Sequence, residues 1–210
     1  MENFIITIAR GYGSGGRTIG MKLAQELGIS YYDRELLRLA SHESGINEAL
    51  FAGADEKLKN TLLFKIAKNV YTGEDIPADT DDVISNDRLF HYQAKVLKEL
   101  AEKESFVVIG RCADFILRDY PRLLRVYVHA PVEDCVVSEA SRSSLTLPEI
   151  EKFIRATDKH RAEYYRYYTG REWNDARNYD LCLNSSAIGK ERCVAVIRDY
   201  MKLKFDETDK

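Results

Sequence analysis

Residues 9 to 20 read ARGYGSGGRTIG, five glycines in twelve positions, directly behind the apolar run FIITIA. Glycine lets a backbone take positive φ and approach a ligand closely, and in a strand-to-helix junction it otherwise costs stability, up to ~1 kcal/mol each. Two phosphate-binding patterns fit. Gly11, Gly16, Arg17 and Thr18 match G-x-x-x-x-G-K-[ST], with arginine where lysine is expected. Gly11, Gly13 and Gly16 also match G-x-G-x-x-G, and Asp33 lies near the distance at which a dinucleotide fold binds a ribose hydroxyl. On the first reading the backbone N–H groups of residues 13–18, from Gly13 and Ser14 through Gly15 and Gly16 to Thr18, wrap a β-phosphate at a helix N-terminus. Arg17 supplies a permanent positive charge as a planar fork. The Thr18 hydroxyl is then the group that holds Mg²⁺.

The elements that position these residues alternate. FIITIA (4–9) is a short β-branched run, as in a strand buried on both faces. Ile19, Leu23 and Leu27 repeat every four residues, and Gly28 closes that helix. ISYYD (29–33) predicts a second strand, with Asp33 placed to cap a helix starting at RELLRLA. From 34 to about 104 no strand is legible. Leu58, Leu62, Ile66 and Val70 mark one amphipathic helix; Leu89, Gln93, Val96, Leu97 and Leu100 mark another, with Asn86 or Asp87 as its cap. The acidic stretch 72–82 between them predicts a loop. Strands resume at SFVVIG (105–110), LLRVYVHA (123–130) and YDLCLN (179–184). Each is a continuous apolar run, which favours a mostly parallel sheet covered by helices. Thr146 to Glu149 form a capping box opening a helix to about Tyr168, with Gly170 beyond it, and a last helix spans roughly 189–204.

The bulk numbers narrow the class. A chain of 210 residues with 45% apolar and 31% charged residues is an ordinary globule, able to hold one α/β domain. A net charge of −3 argues against a nucleic-acid surface, and no apolar run approaches a membrane span. The N-terminus MENF lacks a signal-peptide pattern, so a cytoplasmic protein is expected. Cys112, Cys135, Cys182 and Cys193 show no zinc or dithiol spacing.

The seventy-residue gap after Asp33 decides between the two glycine patterns. A dinucleotide half needs one crossover within about 30 residues, whereas a P-loop kinase accommodates a helical segment there. Arg155, Lys159 and Arg166, with Arg161 nearby, add a basic stripe on the long helix: a solvated face, or a clamp for a transferring phosphoryl group. In order, YGSGGRTIG, YYDRELL, VVIGRCADFIL, RVYVHAP, DKHRAEYY and NYDLCLNSS resemble the cytidylate kinase-like family of P-loop phosphotransferases, over about residues 4 to 200. The resemblance implies a three-layer α/β P-loop kinase fold in one domain, with about five mostly parallel strands. It also implies an acceptor-binding helical segment at 35–104 and a lid with a basic helix at about 140–172. ATP and Mg²⁺ are the implied cofactors, and the implied acceptor is a small molecule, a nucleoside monophosphate such as CMP.

Two positions depart from that pattern. The resemblance leads one to expect an aspartate before the Gly-Arg pair, where this chain has Ile109; Asp33 or Asp114 are the carboxylates that could stand in. It also leads one to expect arginines in the helix after RVYVHAP, where Cys135 and Ser138 stand. Arg111, at a strand C-terminal end, is expected to grip an acceptor phosphate or carboxylate, or else to form a surface ion pair. Asp33 is expected either to orient the acceptor hydroxyl or to cap the following helix. A nucleotide-binding regulatory protein with little kinase activity is the alternative that these departures leave open. The tyrosine cluster at 164–170 and Trp173 are expected to pack rather than to stack bases.

Overall fold

The computed structural model describes residues 2–33, Leu62, Ile66 and 82–205. Five strands form one sheet: β1 (Ile5–Arg10), β2 (Ser30–Tyr32), β3 (Phe106–Ile109), β4 (Leu123–His129) and β5 (Leu181–Asn184). Their order is β2-β3-β1-β4-β5, and every pairing is parallel. β1 lies at the centre, with Ile5 opposite both Phe106 and Leu123. The helices are α1 (Gly16–Leu27), α2 (Asp82–Lys103), α3 (Ala113–Ile116), α4 (Val132–Ala140), α5 (Leu147–Thr169), α6 (Ser185–Ile188) and α7 (Lys190–Phe205), with a 3-10 turn at Ala176–Asn178.

The continuous apolar runs make sense because a strand's period of two sends alternate residues to opposite faces. Ile5, Phe106, Val108 and Leu123 join one core, with Val96, Leu97 and Leu100 of α2 and Tyr165 of α5. Ile6, Ile8, Val107, Ile109, Leu124, Val126 and Val128 join the other, with Ile19 and Leu23 of α1 and Val194 and Ile197 of α7. A third, smaller cluster joins α4 to α5 through Cys135, Val136, Ile150 and Ile154. The fold is the expected three-layer α/β arrangement.

Most expected boundaries coincide with the structure. Gly28 ends α1 in the left-handed conformation and Gly170 ends α5 the same way. The Glu149 carboxylate accepts from the N–H (2.8 Å) and the hydroxyl (2.6 Å) of Thr146. The start of α2 is a correction: the helix begins at Asp82, ahead of the expected caps Asn86 and Asp87. Polar residues that favour caps also continue a helix when its later turns are packed. Leu62 and Ile66 are helical, and Ile66 is buried in the α2 core. The expected helix at RELLRLA, the positions Leu58 and Val70, most of the acidic stretch and the C-terminal tail lie outside the described residues.

Ile109 occupies the slot where an aspartate was expected. It is 1% exposed, and its Cδ1 lies 2.6 Å from where a β-carbon on Gly20 of α1 would sit. An apolar branched side chain therefore fills the gap that the missing Gly20 side chain leaves. Replacing it strands a carboxylate among Ile8, Ile19 and Leu23. We expect Ile109→Asp to lower the unfolding free energy by roughly 3 kcal/mol or more, read by urea denaturation. A loss under about 1 kcal/mol would mean that the slot tolerates a wet carboxylate and is not locked.

Candidate active site

The glycine loop joins β1 to α1 at the carboxyl edge of the sheet, where open α/β sheets receive ligands. Gly13 and Gly15 have φ of 77° and 76°. At Gly13 a β-carbon would meet the Cβ of Cys135 at 2.7 Å, so the loop lies directly on α4. That contact also accounts for Cys135: a long basic side chain at its position has no room beneath the loop. The Ser14 hydroxyl donates to the Gly11 carbonyl (2.8 Å) and the Ser185 hydroxyl to the Ser14 carbonyl (2.6 Å). The loop is thus braced internally and tied to Ser185 at Ser14, and the first N–H groups of α1, from Gly16 to Thr18, have no intrahelical acceptor. Donors arranged this way at a helix N-terminus suit an anion.

Arg17 is exposed and its Nη2 lies 2.6 Å from Oδ2 of Asp33, which is buried at the end of β2. Asp33 first, then a hydrogen bond with Tyr31, pushes the Arg17 guanidinium above its ordinary value. Thr18 is half-buried in the first turn of α1. The two expected Mg²⁺ stand-ins separate: Asp33 sits beside the loop, whereas Asp114 accepts from the Tyr165 hydroxyl (2.6 Å) behind it. Burial raises the Asp114 carboxyl despite that bond.

Arg111 leaves β3 on an unusual turn. Gly110, Arg111 and Cys112 have φ of 68°, 61° and 54°, three left-handed residues in a row. For the two that are not glycine this conformation costs of order 1–3 kcal/mol each, and such strain concentrates at functional sites. Gly110 matters for a second reason, since a β-carbon there would land on Nη1 of Arg10. Arg10 is the last residue of β1. Burial, and then the charges of Arg161 and Arg111, bring its guanidinium down to about 10.

Arg161 of α5 completes this corner. Its Nη1 donates to the Arg10 carbonyl (3.2 Å) and to Asp158 Oδ1 (2.8 Å). Asp158 accepts in turn from the Tyr12 N–H at 2.9 and 3.0 Å. Burial raises the Asp158 carboxyl, offset in part by Arg161. Tyr12 packs edge-on against Phe153, 5.2 Å between ring centres. So α5 is fastened to the glycine loop by Tyr12, Phe153, Asp158 and Arg161.

The basic stripe therefore divides. Arg161 turns to the loop, whereas Arg155 pairs with Glu151 (2.7 Å), Lys159 with Glu163 (3.9 Å) and Arg166 with Glu172, all exposed. The structure brings Arg161, Arg111, Arg17, Asp33 and the loop residues Gly11–Thr18 to one edge, and leaves Arg155 and Lys159 on the outer face of α5. Sequence reasoning missed Arg10 and Asp158. A basic residue ending the strand just before the glycines was the available signal for Arg10. The i,i+3 spacing of Asp158 and Arg161 was the signal for the latch. Lys190, whose Cε lies 2.6 Å from where a Gly15 β-carbon would be, carried no readable signal.

The model of the cytidylate kinase-like family matches residues 5–187 of this chain. The chain belongs to that family. A cytidylate kinase from Methanopyrus kandleri is 22% identical over 203 residues, covering 92% of this chain and 91% of its own. An uncharacterized protein from Eubacterium ventriosum superposes with a TM-score of 0.70 at 24% identity, over 95% of this chain and 99% of that one. A gluconokinase from Sinorhizobium meliloti superposes with a TM-score of 0.53 at 15% identity, over 99% and 98%. The two structural likenesses are of fold alone.

Two glycines test the corner. Gly28 is left-handed with nothing within 4 Å of a β-carbon, whereas Gly110 is left-handed and would strike Arg10. We expect Gly28→Ala to cost about 1 kcal/mol and Gly110→Ala about 2 kcal/mol or more, compared by urea unfolding. Equal losses would show that Arg10 is not lodged against Gly110.

Proposed function

We propose that this protein is an ATP-dependent phosphotransferase that moves the γ-phosphoryl group to a small acceptor, a nucleoside monophosphate such as CMP. The observation that carries the reading is the meeting of Arg10, Arg111 and Arg161 at the edge of the sheet that also bears the glycine loop. Like charges brought together in a half-buried corner favour an anion between them, and the neighbouring loop suits a second one. Two adjoining anion sites are what phosphoryl transfer between two phosphates requires.

The division of labour follows from position. N–H groups of Gly13–Thr18 hold the β-phosphate of the donor, and Arg17 adds charge beside it. Mg²⁺, held by the Thr18 hydroxyl and phosphate oxygens, would neutralise charge between the β- and γ-phosphates. Among the described residues no group of three or more His, Cys, Asp or Glu is placed to cage a metal; Mg²⁺ commonly relies on substrate phosphates instead. Arg111 grips the acceptor phosphate, Arg10 supports it from below, and Arg161 reaches the same corner from α5. Asp33, within reach of Arg17, orients the acceptor. Because such a transition state is loose, positioning and charge stabilisation supply most of the rate, and these side chains provide both. Arg155 and Lys159 would contribute only if α5 turned its outer face inward. A regulatory nucleotide-binding protein is the second reading, favoured by Ile109 filling the expected carboxylate slot with apolar packing.

A coupled ADP-release assay over nucleoside monophosphates and small hydroxy acids decides. We expect turnover with a nucleoside monophosphate. We also expect Arg111→Ala and Arg10→Met to lower kcat/KM by about 10–100-fold or more, the loss of a charge-assisted contact of ~1.5–3 kcal/mol. Arg17→Ala should weaken ATP–Mg²⁺ binding in equilibrium titration, and NAD or NADP should not bind. ATP binding without turnover on any acceptor would establish the regulatory reading instead.

A further inference from the structure

A tyrosine ring packed beneath the glycine loop carries a polar group that packing does not explain. Tyr31 of β2 lies in the apolar layer between the sheet and α1. Its Cε2 is 3.5 Å from where a β-carbon on Gly20 would sit, a point that the Cδ1 atoms of Ile109 and Ile8 also approach. Gly20 follows Arg17 by three residues, so the two share one side of α1, a turn apart. Asp33 stands two residues beyond Tyr31, the spacing that returns an extended chain to the same face. The ring thus rests on Gly20, and Arg17 and Asp33, which pair with each other, lie one step further toward the loop.

The hydroxyl at the tip of the ring accepts from the Arg17 guanidinium, and the charges of Asp33 and Arg10 also act on it. Burial, and then Asp33, raises the phenol above its ordinary value, so it stays protonated and neutral. The oxygen is buried, and none of the described residues accepts its proton. Buried tyrosine hydroxyls usually find an acceptor. Phenylalanine would fill the same space on Gly20, so packing explains the ring and leaves the hydroxyl unexplained. The group that the hydroxyl meets is Arg17.

Arg17 has a use for such a contact. Its side chain is 67% exposed, and a long exposed side chain loses rotamer freedom when a ligand fixes it. One contact alone, Nη2 on the Asp33 carboxylate, lets the guanidinium plane swing. A second contact, to a phenol held in the core, sets that plane. A guanidinium has five N–H donors, enough to keep both contacts and meet a phosphate. Resting on the reading that a donor phosphate sits in the glycine loop, we infer that Tyr31 is a positioning residue for the donor. Its hydroxyl and the Asp33 carboxylate together hold Arg17 in a phosphate-ready orientation before the nucleotide arrives.

A double-mutant cycle tests this, with ATP–Mg²⁺ affinity read by equilibrium titration into the millimolar range. Tyr31→Phe should raise the Kd about 3–10-fold, the cost of ordering one long side chain on binding. Without ligand it should melt within about two degrees of wild type, because no acceptor in the described fold loses a bond. In an Arg17→Ala background the same change should alter the Kd less than about twofold, since the guanidinium it steers is gone. Three results would overturn the inference: an unchanged Kd for Tyr31→Phe, an equal loss in both backgrounds, or a loss larger than that of Arg17→Ala alone. A clearly lower melting temperature for unliganded Tyr31→Phe would assign the hydroxyl to the fold and overturn it as well. If wild type binds no ATP–Mg²⁺, the phosphotransferase reading falls together with the inference; if wild type binds and only the cycle fails, that reading stands.

Discussion

Arg10 carries its charge into a corner where burial and two like charges work against it. Burial, and then the charges of Arg161 and Arg111, bring its guanidinium down to about 10, so the charged form costs free energy there. A base depressed in the folded state is penalised most where it is protonated, so the whole penalty applies at neutral pH and vanishes only above its unfolded value. The surrounding structure is arranged to tolerate this. Gly110 makes room for the guanidinium, Asp158 supplies a compensating negative charge, and Arg161 is held off by its own bond to Asp158. An anion entering the corner would recover part of that free energy, which is a physical reason for binding that does not depend on resemblance.

The backbone shows the same economy of purpose. Left-handed residues cluster where the chain turns at the carboxyl edge: Gly13 and Gly15 in one loop, Gly110 to Cys112 in the other. β1 and β3 are adjacent in the sheet, so these two turns face one another across a single strand spacing. Both are held by tertiary contacts, the first by Cys135, Asp158 and Ser185, the second by Arg10. Preorganised donors and cations avoid the ordering cost that flexible loops would incur on binding. Asp158 is central because it joins the glycine loop to α5, whose Arg161 reaches the Arg10 carbonyl.

The sheet was legible because its strands are buried on both faces and read as unbroken apolar runs. The glycine loop was legible because glycine at that density has few other uses. Less legible was which charge faces inward. Arg155, Lys159 and Arg161 all lie on one helix, and sequence spacing alone did not distinguish the solvated pair from the one that reaches Arg10. The difference lies in where α5 crosses the loop, fixed by Phe153 packing on Tyr12 and by Asp158, contacts between residues nearly 150 apart. Arg10 fell between the expected strand (4–9) and the glycines and drew no reading, although it ends β1. Gln93 read as one member of a helical stripe, and that pattern could not reveal that its buried amide lacks a partner among the described residues. Asp114 shows the converse, a carboxylate close to the site in sequence that the Tyr165 hydroxyl claims for the core.

Arg17 in place of lysine fits this arrangement. A lysine ammonium is a compact point charge, suited to reaching one phosphate over the loop. A guanidinium is a planar fork that can hold a carboxylate along one edge and a phosphate along another. In this structure Arg17 grips Asp33, on the strand next to the one that carries Arg111. An arginine so placed links the glycine loop to the end of β2 and can hold the Asp33 carboxylate in one orientation. Lysine could satisfy either partner, but its geometry is poorly suited to bridging them. The substitution in the glycine motif is therefore coupled to the carboxylate at the end of β2, and the two positions act as one unit of the site.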